Sequence, residues 1–152
     1  MPDFAPDPLT KSEFEAVAKV TVSVAFEAVL FRGEGTAREI YLTQRQADDA
    51  YAGQWHCPGS IFRPGEQAEN VVARLAAREF KTPTTTDGKC LGDYFFAEER
   101  GWFLARVYLV QAENPAAEHG QWWPIDNLPD KLVWHHRERV IPIALAHLLK
   151  SS

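Results

Sequence analysis

Cysteine is scarce in this chain, and no apolar run is long enough to cross a membrane. Cys57 and Cys90 are the two cysteines among 152 residues, and they form no disulfide framework. The most apolar stretch, residues 20–31, is interrupted by Glu27 and falls short of the roughly 20 residues that a bilayer requires. The first residues have neither the basic start nor the apolar run of a secretory signal. These features predict reduced thiols, a cytoplasmic location and no membrane association.

An excess of positive charge is also absent. The chain has 16 Lys and Arg against 21 Asp and Glu, for a net charge of −5 at pH 7, which argues against a nucleic-acid duplex as a partner. Apolar residues make up 45% and charged residues 24%, as in typical globular proteins. The length predicts a single domain over residues 10–152, after a proline-rich flexible leader at residues 1–9. A homodimer is left open.

Helices and strands are predicted to alternate along this domain. The spacing of Thr10 and Glu13 is that of a capping box and predicts a helix over Lys11–Ala18. Apolar residues recur at three- and four-residue intervals from Ala68 to Ala76, which predicts a helix over residues 67–80. Runs of β-forming residues and turn signals predict the remaining elements: a hairpin of residues 20–31 with residues 39–44, strands at 94–97 and 102–110, and a last helix at 132–149 with an irregularity or late start at Pro142.

Four segments resemble, in order, the Nudix family. They are residues 28–31 followed by 40–45, residues 53–59, residues 64–66 with the helix behind them, and residues 122–129. The resemblance implies an α/β/α sandwich with a mixed β-sheet between helices. It also implies a small-molecule partner, a nucleoside diphosphate linked to another moiety, which the protein would hydrolyse or bind. Arg45, at the end of the opening hairpin, is expected to contact that substrate.

The family signature can be placed on this sequence in two ways. Without a gap, Ser60 stands at its first Gly, Glu66 at its first Glu and Arg74 at its Arg. The resemblance then implies that Glu66 and Arg74 brace the loop against the helix. A gapped alternative aligns residues 78–80 with the family's Arg-Glu-aliphatic run, four residues or about one helical turn later.

Two of the three helix glutamates that hold magnesium in this family are replaced. In the ungapped alignment Leu75 and Arg78 stand at their positions, and Glu79 alone remains. Because residues three and four apart share a helix face, we expect these three side chains to point the same way. Hard cations take several oxygen ligands, so we expect Mg²⁺ or Mn²⁺ to bind weakly, with Glu79 as the surviving ligand and a catalytic candidate.

Arg78 has two interpretations. It is either a solvated side chain paired with Glu79 or Glu66, or it holds a diphosphate directly in place of metal, together with Arg74 and Arg63. Arginine forks match phosphate oxygens in geometry and in charge. Arg63 and Arg78 are therefore candidate substrate-binding residues.

Further candidates lie outside the signature. Glu98 and Glu99, between two predicted strands, are catalytic candidates, because some Nudix-like enzymes draw a ligand or base from such loops. Trp55 is a candidate for stacking on a base, although aromatic residues in strands more often pack in a core. His135 and His136 are adjacent, so we expect at most one to face a site and the pair to have a capping or surface role.

Two functions remain in competition. The first is hydrolysis of a nucleoside diphosphate derivative, weak or dependent on an unusual metal site. The second is a non-catalytic module that binds a nucleotide or a partner protein, which the loss of two glutamates favours.

Overall fold

The computed structural model describes residues 9–150 as two β-sheets flanked by helices. The predicted leader at residues 1–9 therefore lies, except for Leu9, outside the described residues. In this range the helices are α1, Lys11–Ala18, α2, Ala68–Leu75, and α3, Ile141–Lys150. The strands are β1, Val22–Val29, β2, Phe31–Arg32, β3, Glu39–Gln44, β4, Trp55–His56, β5, Gly59–Ile61, β6, Thr84–Thr86, β7, Gly92–Glu98, β8, Gly101–Ala112, and β9, Gly120–Pro124.

The two sheets are built around β8 and β3. In the first sheet β1 lies parallel to β8, while β5 pairs antiparallel with β1, and β6 and β7 pair antiparallel with β8. In the second sheet β3 pairs antiparallel with β2, β4 and β9. The predicted hairpin of residues 20–31 with residues 39–44 is wrong for most of its length. Phe31 and Arg32 pair with β3, but Val22–Val29 lies in the first sheet, between β5 and β8. The predicted α/β/α architecture with mixed strand directions is confirmed.

Strand β1 divides the core because its successive side chains point to opposite faces. Phe26 and Ala28 pack in the cluster that includes α2, whereas Val29 packs in the cluster that includes Ile40 and Leu42 of the second sheet. Each face of β1 is therefore covered by a different layer. Residue 27, which alternates with Phe26 and Ala28, faces the space between the sheets.

Helix α2 follows the predicted apolar period. Ala68, Val71, Val72 and Leu75 are its buried residues, and Gln67 caps it in a reciprocal box with Asn70. The helix then widens into a π-helical turn, Ala76–Phe80, which ends at Lys81 with φ of 58°. The predicted bounds of 67–80 are thus confirmed, but the last five residues are not α-helical.

The last helix begins later than predicted. Leu132 forms a bridge with Trp55, and the Val133 amide donates to the Trp55 carbonyl at 2.9 Å. These two residues therefore extend the second sheet, and residues 132–133 are not helical. A π-helical turn, His136–Val140, follows and precedes Pro142. The Ile141 amide donates to the carbonyl of His136, five residues back. The next residue, Pro142, has no amide hydrogen to donate, and the wider π-helical turn accommodates it.

Within residues 9–150, α3 and the other helices are each too short or too polar to cross a membrane.

Candidate functional site

The loop before α2 is fixed to the helix by a two-bond ion pair. Arg74 donates from Nε and Nη2 to the two carboxylate oxygens of Glu66, both at 2.8 Å, and from Nη1 to Oγ of Ser60 at 3.0 Å. The Arg63 amide donates to the same carboxylate at 2.7 Å. Burial alone would raise the pKa of Glu66, but the bonds from Arg74 and Arg63 outweigh it and lower the pKa. This geometry supports the ungapped placement of the signature.

Three adjoining cavities surround the segment between β3 and β4. The central cavity, about 190 Å³, is lined by both sheets. The helix cavity, about 390 Å³, is lined by the end of the α2 region and by β3. The N-terminal cavity, about 800 Å³, is lined by α1. Their shared walls are Arg45, His56 and Gly59 between the central and helix cavities, and Tyr51, Glu98 and Arg100 between the central and N-terminal cavities.

Three arginines lie along this cleft. Arg45 lines both the central and the helix cavity, Arg78 lines the helix cavity, and Arg100 lines the central cavity. Arg45 is held by its Nε, which donates to the Ala50 carbonyl at 2.9 Å. Arg100 is paired with Glu98. Among residues 9–150, Arg78 has no ion pair or side-chain hydrogen bond, so its guanidinium is available to a ligand.

Leu75, Arg78 and Glu79 do not share one environment, which corrects the prediction of a common face. Leu75 is 5% exposed and packs in the core cluster with Val71 and Phe80, because it continues the apolar stripe of α2. Arg78 is exposed to solvent, and Glu79 is half-buried. Burial raises the pKa of the Glu79 carboxyl, and the nearby Thr43 hydroxyl and Arg45 partly oppose this.

A buried polar cluster lines the central cavity. Glu27 of β1 is 7% exposed, and its Oε2 lies 3.5 Å from Nε2 of His136. Nδ1 of His136 accepts the Cys57 amide at 2.9 Å. Nδ1 of His135 lies 2.7 Å from the Tyr94 hydroxyl.

The prediction of a surface or capping role for the two histidines is therefore wrong. His135 is 2% exposed and His136 is 4% exposed, and both line the central cavity. Adjacent helical side chains point in different directions, but these two rings have centroids 4.5 Å apart and line the same cavity. Burial, with His136 and Arg45 nearby, lowers the pKa of His135 to about 3. Burial, together with the nearby His136, Arg45 and His135, lowers the pKa of His56 well below its ordinary value.

Several solved structures have an architecture similar to that of this chain. The NUDIX domain of Shewanella oneidensis NrtR, complexed with ADP ribose, matches with a TM-score of 0.63 and 22% identity over 92% of this chain and 99% of that chain. A MutT NUDIX hydrolase from Burkholderia pseudomallei matches at 0.65 and 23% identity, over 80% and 97%. This chain has a Nudix fold. The C-terminal domain of mouse MUTYH, in complex with human PCNA, also matches, at 0.64 and 18% identity over 84% and 90%. No family model and no curated protein matches the sequence.

The residues at the signature of this Nudix fold do not fit a magnesium site built by the protein. Glu79 shares the helix cavity with Asp49 and Glu118, but also with Arg78 and Lys81. Within residues 9–150, no three His, Cys, Asp or Glu side chains are placed to hold one cation. A divalent cation at this position would gain few oxygen ligands and would face the positive charges of Arg45, Arg78 and Lys81.

The other predicted site residues are dispersed. Glu98 and Glu99 line the N-terminal cavity, and neither lines the helix cavity with Glu79. Trp55 packs edge-on against Trp123, with ring centroids 5.1 Å apart, and lies outside the three cavities. Arg63 also lies outside them. Glu27 and His56 line the central cavity but were not predicted as site residues from the sequence. A carboxylate inside an otherwise apolar strand was the available signal for Glu27.

Proposed function

We propose that this Nudix-fold protein binds a nucleoside diphosphate linked to another moiety, and that it hydrolyses the diphosphate weakly or only with a non-standard metal site. The observation that carries the proposal is the placement of Arg45 on the wall between the central and helix cavities, with Arg78 on the helix cavity. The NrtR domain of the same fold was solved with ADP ribose, which is a compound of this class.

The diphosphate is assigned to the helix cavity. Within residues 9–150 the Nη donors of Arg45 make no hydrogen bond, while its Nε donates to the Ala50 carbonyl, so its guanidinium is already oriented and loses little freedom on binding. The guanidinium group of Arg78 adds a second set of paired N–H donors. Charge-assisted bonds from two guanidinium groups to phosphate oxygens supply the charge compensation that magnesium provides elsewhere in the family.

The nucleoside is assigned to the central cavity. It adjoins the helix cavity at Arg45, His56 and Gly59, so one ligand can occupy both. Together they have the size of an ordinary small-molecule site. Phe96, Phe103 and Val133 supply apolar walls to the central cavity, as a flat ring system requires.

Hydrolysis has weaker support than binding. Glu79 is the one family carboxylate retained on the helix, and its raised pKa reflects burial, which favours a proton over a cation. Arg78 lies on the same cavity and repels a dication. Residues Arg45 and Arg78 can orient a diphosphate and neutralise its charge, but neither is suited to activate water.

Calorimetric titration with ADP-ribose and with a GDP-sugar, in the presence of EDTA, tests this proposal. We expect at least one of them to bind without metal and Arg78→Gln to weaken that binding roughly tenfold or more, since a charged hydrogen bond contributes about 1.5–3 kcal/mol. Arg45→Lys should weaken it too, because an ammonium cannot form a fork. Arg38→Gln, outside the three cavities, is the matched control and should bind like the unaltered protein.

Two results would contradict the proposal. One is that neither compound binds in EDTA. The other is turnover with Mg²⁺ at a rate ordinary for an enzyme, roughly 1 per second or faster, abolished by Glu98→Gln or Glu99→Gln. In that case Glu98 or Glu99 would carry catalysis.

A further inference from the structure

Glu27 is a buried carboxylate that faces the central cavity without a strong partner. It lies on β1, on the face between the two sheets, and is 7% exposed. Within the described part of the chain no side chain or amide donates a hydrogen bond to it. The Nε2 atom of His136 approaches Oε2 at 3.5 Å, which is too long for a strong hydrogen bond.

The residues around Glu27 leave its carboxylate open toward the central cavity. The Cys57 amide donates to Nδ1 of His136, so that nitrogen carries no proton and the N–H of the ring is on Nε2, 3.5 Å from Oε2 of Glu27. Gly59 closes the other side, because a Cβ there would lie 2.3 Å from the carbonyl oxygen of Phe26 and 3.1 Å from Oε2 of Glu27. The carboxylate opens onto the central cavity, which it lines.

Such a carboxylate favours a ligand that brings hydrogen-bond donors. Burial of a carboxyl group that lacks hydrogen-bond donors is unfavourable, and a bound N–H or NH₂ group offsets that cost. A cationic ligand is disfavoured, since Arg45 and Arg100 line the same cavity. A neutral group with N–H donors satisfies both conditions.

Resting on the proposed function, we infer that Glu27 selects the base of the ligand and that it prefers a guanine-type edge. A carboxylate has two oxygens side by side and accepts from two adjacent donors. Guanine presents a ring N–H beside its amino group. Adenine and cytosine place an unprotonated ring nitrogen beside theirs, and this nitrogen would face a carboxylate oxygen. The cavity of about 190 Å³ has room for one such ring system, being equal to the liquid volume of about six waters.

The affinities of GDP, IDP and ADP, measured by calorimetry in EDTA, test this inference. IDP differs from GDP only by the missing amino group. We expect the unaltered protein to bind GDP at least roughly tenfold more tightly than IDP, because an unpaired buried acceptor costs about 1–3 kcal/mol. ADP should bind more weakly than GDP. Glu27→Gln should weaken GDP binding and bring the GDP to IDP ratio within about threefold, whereas Glu34→Gln, an exposed carboxylate outside the cavities, should leave the ratio unchanged.

The outcomes separate this inference from the proposed function. If all three nucleotides bind with equal affinity, the diphosphate site stands and the role of Glu27 is wrong. If none binds, both fail. Should Glu27→Gln prove unfolded by circular dichroism, the ratio of GDP to IDP affinity in the unaltered protein decides the matter, and a ratio near one overturns the inference.

Discussion

At the scale of single residues, a position in the signature does not determine the environment of the side chain that occupies it. Leu75 stands where the family carries a metal-binding glutamate, yet it packs in the core beside Val71 and Phe80. Glu79, one turn later, borders the helix cavity. An apolar residue at position 75 joins the buried stripe of α2, because burial of a leucine is favourable by about 2 kcal/mol.

Replacing Leu75 with the glutamate that the family carries there should therefore destabilise the protein rather than restore a metal site. We expect Leu75→Glu to lower the free energy of unfolding by about 3 kcal/mol or more, because it buries a charge without a partner. Urea denaturation monitored by tryptophan fluorescence measures this. Leu75→Met, of similar volume, should cost less than about 1.5 kcal/mol, and Arg78→Glu, on the surface, less than about 0.5 kcal/mol. A stable Leu75→Glu protein that binds Mg²⁺ would show that position 75 faces the cleft.

At the scale of elements, both π-helical turns carry side chains that line the cleft. The turn Ala76–Phe80 presents Glu79 to the helix cavity, and the turn His136–Val140 presents His136 to the central cavity. Widened turns are frequent at functional sites. The spacing rules of an α-helix therefore do not apply within these two turns.

The link between the loop and α2 makes a separate prediction. Arg74→Ala removes the two bonds to Glu66 and the bond to Ser60 and leaves a carboxylate that is 10% exposed. We expect the free energy of unfolding to fall by about 2–3 kcal/mol and the amides of residues 60–67 to exchange hydrogen faster, as measured by mass spectrometry. Arg74→Lys, which keeps the charge but not the fork, should lie between. Unchanged exchange in Arg74→Ala would mean that the loop is held by other contacts.

Local patterns were enough to predict most of these elements. The capping box at Thr10, the apolar period from Ala68 and the β-forming runs each follow from side-chain chemistry within a few residues. The pairing of Leu132 with Trp55 could not be predicted in this way, because it joins residues 77 positions apart. Contacts at this separation depend on how the sheets meet.

At the scale of the whole molecule, the site lies where the two sheets and the helices meet. Glu27 of the first sheet, His56 of the second and His135 of the last helix converge on the central cavity, although they are far apart in the sequence. The signature predicted the braced loop and Glu79. It could not predict the buried polar cluster, since the burial of Glu27, His135 and His136 is a property of the assembled layers.

This cluster also makes stability dependent on pH. In the folded protein, burial lowers the pKa of His56 well below its ordinary value and that of His135 to about 3. In the unfolded chain both histidines titrate near pH 6.5. Below that pH the unfolded state binds more protons than the folded state, so acidification favours unfolding. The stability that the neutral histidines contribute is fully present above pH 6.5 and is lost as the pH falls toward their folded pKa values.

The size of this effect can be measured between pH 7.5 and 5.5. The free energy of unfolding should fall by about 1–2 kcal/mol through His135, since one pKa unit corresponds to about 1.4 kcal/mol, and the lowered pKa of His56 should add to that fall. The lowered pKa of Glu66 acts only at more acidic pH, and the raised pKa of Glu79 acts in the opposite direction. Urea denaturation at three pH values gives the slope. His135→Gln should remove about half of it, whereas His119→Gln, at an exposed site, should leave it unchanged. A stability that is constant or rises on acidification would mean that the folded protein does not lower the pKa values of these histidines.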